Sequence, residues 1–178
     1  MGPDNITYQV YHRKVKYPRL EFKTGELVVI LPFGNQPFKL LEKHGSWIDR
    51  KSRFIEECLK DAANKEVVKR TDREFRDLVY SYIREASQKF GVRVNQLFFR
   101  KMKTKWASCS PKRNLTVNAL ANFLPDSLIK YVVYHEMTHL IEKRHNDRFW
   151  KIMSAEFGIC HNFERDLFAY WFRLCESI

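Results

Sequence analysis

The stretch His135-Glu136-Met137-Thr138-His139, with His145 six residues further on, decides how this chain is read. Residues i and i+4 of an α-helix share a face, so His135 and His139 can grip one ion together. Glu136 sits about 100° round the helix from His135, beside the ion and free to take a proton from water. Three protein ligands with a fourth position left to solvent is the arrangement of a catalytic zinc site. The flanking residues are those of a helix. Pro125 and Asp126 suit its start, and Leu128, Ile129, Val132, Val133, Met137, Leu140 and Ile141 recur at spacings of three and four. The plainer alternative is two histidines packed on an amphipathic core helix, without a metal.

His145 cannot continue the same helix face, because six residues turn a helix by about 600°. The spacing therefore predicts that the helix ends near Glu142 and that an elbow carries His145 back toward the ion. Asn146 and Asp147 suit the start of a following helix with Phe149, Trp150, Met153 and Phe157, closed by Gly158. Metzincin proteases use the same interval with Gly where this chain has Glu142, so the elbow must be shaped differently here. Glu142 lies about 10 Å of helix rise from His135, too far to share its ion. Glu156 is the stronger rival for third ligand, since two-His-plus-Glu zinc sites exist. Asp147 and His161 are weaker ones.

At 178 residues the chain is expected to form a single domain, 1–178, with strand-like patterning in 1–45 and helical patterning in 46–178. The expected class is α+β: a small N-terminal antiparallel sheet, then a mostly helical region holding the metal site. Ile6 to Tyr11 alternates like a strand, and Leu20 to Lys23, the Thr24-Gly25 turn and Leu27 to Leu31 form a hairpin pattern. Pro32, Gly34 and Pro37 break the sheet, and a helix through Trp47, Ile48, Phe54, Ile55, Cys58 and Leu59 follows. Thr71-x-x-Glu74 is a capping box opening a helix whose stripe runs from Phe75 to Phe90 and stops at Gly91. Leu97 to Arg100 and Leu115 to Asn118 resemble strands, and a last helix carries Phe163, Leu167, Tyr170, Trp171 and Leu174. An exposed strand edge beside a metal can hold an extended peptide by its backbone. Thr116 to Asn122 is the candidate for that edge.

Cys58, Cys109, Cys160 and Cys175 are scattered with no Cys-x-x-Cys pair, which argues for a reducing interior. Met1 to Asn5 shows no signal-peptide pattern and no apolar run approaches 18 residues, so a soluble, cytoplasmic protein without membrane partners is expected. The net charge of +11 favours anionic partners and leaves room for nucleic-acid contact through a basic surface. No nucleic-acid motif accompanies it, and the basic residues form no dominant block.

Four motifs in order carry a family resemblance: Lys105-Trp106-Ala107-Ser108-Cys109-Ser110, Asn114-Leu115-Thr116-Val117-Asn118, Tyr131-Val132-Val133-Tyr134-His135-Glu136-Met137-Thr138-His139-Leu140, and His145-Asn146-Asp147-Arg148-Phe149-Trp150. Together they resemble the YgjP-like metallopeptidase family, strongly over about residues 97–157, with Met137 where Leu is usual. The chain is also similar to SprT-like proteases, which act on proteins bound to DNA. The resemblance implies a zincin-like fold and a Zn2+-dependent hydrolase, with His135, His139 and His145 as metal ligands and Glu136 as catalytic base. Its expected function is hydrolysis of protein or peptide substrates by a zinc-activated water. One ribonuclease family shares the His-x-x-x-His-x-x-x-x-x-His interval, but it lacks the Glu after the first His and has Gly where Glu142 stands. A zinc-stapled binding module is the other rival, which a fourth protein ligand such as Cys109 or Glu156 would support.

Overall fold

The computed structural model describes residues 7–23 and 25–175, and the chain divides into two compact units, Met1–Ala63 and Asn64–Ile178. Ile6, Thr24 and the opening Met1 to Asn5 lie outside the described residues. In the first unit, β1 (Tyr8–His12), β2 (Arg19–Lys23) and β3 (Glu26–Leu31) form one sheet in the order β1-β3-β2. The β2–β3 hairpin is antiparallel, with Phe22 opposite Leu27, and Gly25 takes φ 89° in its turn. A side chain there would be strained, which is why the turn uses Gly. Strand β1 runs parallel to β3, so the sheet is mixed and not wholly antiparallel. Alternation identifies a strand; it carries no information on the direction of the neighbour. Leu27, Val29 and Leu31, on one face of β3, pack with Leu41 of α1 (Phe38–Lys43) and Ile48 of α2 (Gly45–Ala62). Helix α1 was not anticipated: Pro37 ends the sheet and also begins this helix, because a missing N–H costs nothing at a helix start.

The second unit opens with α3 (Asp72–Phe90). The Thr71 hydroxyl accepts from the Glu74 N–H, the Glu74 carboxylate accepts from the Thr71 N–H at 2.7 Å, and Gly91 closes the helix at φ 65°. Such a cap contributes about 1 kcal/mol. Next come β4 (Gln96–Arg100), β5 (Ala107–Cys109) and β6 (Asn114–Asn118) in the order β4-β6-β5, with β4 parallel and β5 antiparallel to β6. A 3-10 turn (Ala119–Phe123) leads to α4 (Asp126–Thr138), followed by α5 (Asp147–Phe157) and α6 (Cys160–Cys175). Among the described residues no helix is long and apolar enough to cross a membrane.

Helix α4 is the centre of this unit. Leu128, Ile129, Tyr131, Val132, Val133, Tyr134, Met137 and Thr138 are all buried, so it is enclosed on most of its circumference and not only along one stripe. Each such apolar side chain contributes roughly 1.5–3 kcal/mol. Exposed ion pairs such as Arg76–Asp72 contribute 0–1 kcal/mol at about the median, so packing holds the unit together.

The sheet's C-terminal end is fastened by one amide. Asn118 is fully buried, donates to the carbonyls of Met102 (2.9 Å) and Lys105 (2.8 Å), and accepts from the N–H of Met102 and of Leu120. It therefore ties the loop before β5 to the end of β6. Replacing it by Ala strands buried backbone groups, and Asn118→Ala should lower the unfolding free energy by about 2–4 kcal/mol in urea titration. A loss under 0.5 kcal/mol, on the order of an ordinary surface change, would show that water replaces the amide.

Candidate metal centre

His135 lies in the last turn of α4, and His139 is the residue that ends it. The helix stops at Thr138, a turn earlier than the expected end near Glu142. The elbow that follows is built by Glu142 and not by glycine. Its carboxylate accepts from the Arg144 N–H at 3.2 Å, and the Asn146 N–H donates to the Arg144 carbonyl at 2.8 Å. The hydrogen bond from the Arg144 N–H holds the Glu142 carboxyl below its usual range. Arg113 is the only non-glycine with positive φ among the described residues, so the elbow needs no left-handed residue. Asn146 then caps α5 by accepting from the Phe149 N–H at 3.1 Å.

The elbow returns His145 to the helix end. One nitrogen from each of His135, His139 and His145 lies within 4.8 Å of the others, and the Nε2 atoms of His135 and His145 are 3.0 Å apart. A side chain from one helix, its terminus and a following loop thus converge on one point. His139 Nδ1 lies 3.1 Å from the Glu142 carbonyl. A carbonyl only accepts, so Nδ1 carries the proton and Nε2 keeps its lone pair for an ion. His135 is pushed down to about 3, chiefly by burial and then by the charges its two neighbours would carry, so it is neutral at physiological pH. Three imidazole nitrogens at this spacing fit a divalent cation.

Phe149 is the floor of the site. It is fully buried, and its ring centroid lies 4.9, 4.8 and 4.6 Å from those of His135, His139 and His145. Trp150 stacks on His145 at 5.7 Å. The sequence pattern placed both residues on α5 without showing that they turn toward the histidines. The sequence also hid the role of the Glu142 carbonyl, because any residue type supplies one.

The other candidates are occupied elsewhere. Glu156 pairs with Lys89 and Lys130, whose second partner is Glu85, and this clasp joins α3, α4 and α5. Neither Cys109, Asp147 nor His161 joins the three histidines among the described residues. The segment Thr116 to Asn122 is no free edge: it comprises most of the central strand β6 and most of the 3-10 turn. The edge strands are β4 and β5, and the three residues of β5 are too few for a visible alternation in the sequence.

Strand β5 bears on Glu136. Burial raises this carboxyl to about 7, against the opposing pull of a hydrogen bond from the Cys109 backbone and of the Lys105 charge. Burial, and then the Glu136 charge, also raise the Cys109 thiol. A carboxyl whose folded value lies above its unfolded one costs stability above the folded value, and that cost vanishes below the unfolded value near 4.5. In protein stripped of metal, Glu136→Gln should therefore raise the unfolding free energy at pH 8 by about 1–3 kcal/mol. Denaturant titrations at pH 8 and at about pH 4.5 check the sign, since the gain must disappear at the lower pH. An equal gain at both would assign it to packing.

A family model for the YgjP-like metallopeptidase domain matches residues 59–167. No curated protein matches the chain. Among solved structures, the metallopeptidase zymogen abylysin of Pyrococcus abyssi is 21% identical with a TM-score of 0.44, covering 49% of this chain and 87% of its own. The zymogen jannalysin of Methanocaldococcus jannaschii is 23% identical with a TM-score of 0.46, covering 55% and 95%. Neither likeness is close enough to bear on the chemistry of this chain. The family match spans all three histidines, Glu136, β5 and the elbow, and on it the chain belongs to the YgjP-like metallopeptidases, hydrolases that depend on a divalent metal.

Proposed function

We propose that this protein is a zinc-dependent peptidase in which His135, His139 and His145 hold the ion and Glu136 is the general base. The convergence of three imidazole nitrogens within 4.8 Å carries the reading. Nitrogen-only donation suits zinc over magnesium or calcium, which prefer oxygen ligands. When bound, zinc supplies Lewis acidity, polarising a carbonyl and making water acidic enough to react at neutral pH.

The remaining work falls to the chain's own residues. The Glu142 carbonyl fixes the tautomer of His139, and Phe149 and Trp150 hold the rings in place. Glu136, tuned to about 7, takes a proton from the attacking water and returns it to the leaving amine. The Cys109 backbone orients that carboxylate. The open side of β5 accepts an extended substrate as an added strand, aligning a peptide carbonyl with the site. Cys58, Cys109 and Cys160, none of them in a disulfide, suit a reducing compartment such as the cytoplasm.

A zinc-stapled, non-catalytic module requires a fourth protein donor, and none accompanies the three histidines among the described residues. Purified wild-type protein should carry one zinc per chain and hydrolyse unfolded protein in a chelator-sensitive manner. Glu136→Gln should keep the metal and lose about 10²–10⁴ of turnover, the usual span for a general base. His139→Ala should lose the metal, measured by elemental analysis after dialysis. Hydrolysis at the wild-type rate in the Gln variant would reject Glu136 as the base.

A further inference from the structure

Most of the positive excess of this chain lies in and around one sheet. Between Gly91 and Pro125 stand Arg93, Arg100, Lys101, Lys103, Lys105, Lys112 and Arg113, without a single Asp or Glu, which supplies seven of the net eleven charges. All seven are exposed. None of them enters an ion pair among the described residues, whereas other cations of this unit do, Arg70 with Asp126 and Lys130 with Glu85 and Glu156. Like charges left unneutralised repel one another and oppose folding, so stability does not account for them.

The topology sorts these cations to the two ends of β5. Arg100 lies in register with Asn118, and the loop bearing Lys101, Lys103 and Lys105 is fastened at that end by the Asn118 amide. At the other end, the Asn95 N–H and side-chain amide donate to the carbonyls of Arg113 and Lys112, bringing the Arg93 segment beside the β5–β6 turn. Between the clusters lies the length of β6, five residues or about 16 Å at 3.3 Å per residue. An extended peptide laid along β5 covers that distance with about five residues. Strand β5 is paired on one side only, and its Cys109 touches Glu136.

We propose that the two cation clusters flanking β5 select the substrate, favouring an extended polypeptide with Asp or Glu two or three positions to either side of the bond cleaved. The proposal rests on the peptidase reading above. A polypeptide fits this surface better than nucleic acid does, because base recognition on a sheet needs open aromatic faces. From Gly91 to Asn118 no large hydrophobic side chain is among the exposed ones. Trp106 is turned inward, donating to the Leu167 carbonyl at 3.2 Å and meeting Trp171 edge-on, and Phe98 lies under Arg100. An open strand edge offers backbone partners to a peptide.

The test uses the zinc-loaded full chain and three internally quenched peptide pools with the same randomised four-residue centre, flanked on both sides by Glu-Glu, Gln-Gln or Lys-Lys. At low salt the Glu pool should exceed the Gln pool in kcat/KM by about tenfold, with the Lys pool lowest. The gap should close in 1 M salt, where the screening length falls to about 3 Å. The Lys101→Glu/Lys103→Glu/Lys105→Glu variant, or the Gln triple if metal content shows the first to be misfolded, should bring the Glu-to-Gln ratio to one or below. Equal kcat/KM for all pools overturns this inference and leaves the peptidase reading standing, whereas no cleavage of any pool overturns both. Tighter binding of a 20-nucleotide single strand than of the Glu pool, with no preference among peptides, assigns the clusters to nucleic acid and overturns the inference.

Discussion

The convergence of the three histidines depends on α4 being unable to turn about its own axis. Two of the three histidines belong to it or end it, and a ring nitrogen far from the helix axis moves by ångströms when the helix rotates by tens of degrees. Burial around most of its circumference prevents that rotation, with Tyr131 stacked on Phe163 at 4.9 Å and Tyr134 edge-on to Phe90 and Phe157. The Thr138 hydroxyl donates to the Tyr134 carbonyl, which satisfies a buried polar group in the last turn just before His139. The clasp of Glu156 on Lys89 and Lys130 sets α5 against the same helix, and α5 in turn supplies Phe149 beneath the rings. Packing thus fixes the site before any ion arrives, so little ordering is left for binding to supply.

This arrangement has a cost in stability that function explains. A carboxyl raised to about 7 is held away from the charged form it would adopt in water at neutral pH, and an imidazole pushed down to about 3 resists the protonation that acid would bring. For Glu136 that tuning places proton uptake and release at neutral pH, as the proposed role of general base requires. For His135 it preserves the lone pair a metal needs. The acid-free sheet beside them adds self-repulsion on the same side of the unit as the strand edge. Stability spent on a buried carboxyl and on unpaired like charges beside one strand is what the proposed function accounts for.

The helices were largely legible in the sequence because their signals are local. The capping box at Thr71 and Glu74, the stop at Gly91, the Asn146 cap and the spacing of His135 and His139 each reside within a few residues. The elbow was legible in its necessity, since His145 had to leave the helix, but not in its shape: Glu142 supplies a side-chain acceptor and a carbonyl where glycine was the familiar solution. What depends on distant partners was hidden. The parallel pairing of β1 with β3, the central place of β6 and the edge position of β5 are decided by which strands meet, and alternation does not encode that. The charge of the second sheet was visible residue by residue, yet its placement at both ends of β5 emerged only with the register.

The most direct test of the account is a crystal structure of the zinc-loaded protein with anomalous diffraction recorded at the zinc edge. The account predicts one ion bound by a nitrogen of each of His135, His139 and His145 at about 2.0–2.1 Å, with the fourth position held by solvent and Glu136 beside it. An ion completed by a fourth side chain, or seated away from these three rings, would contradict it.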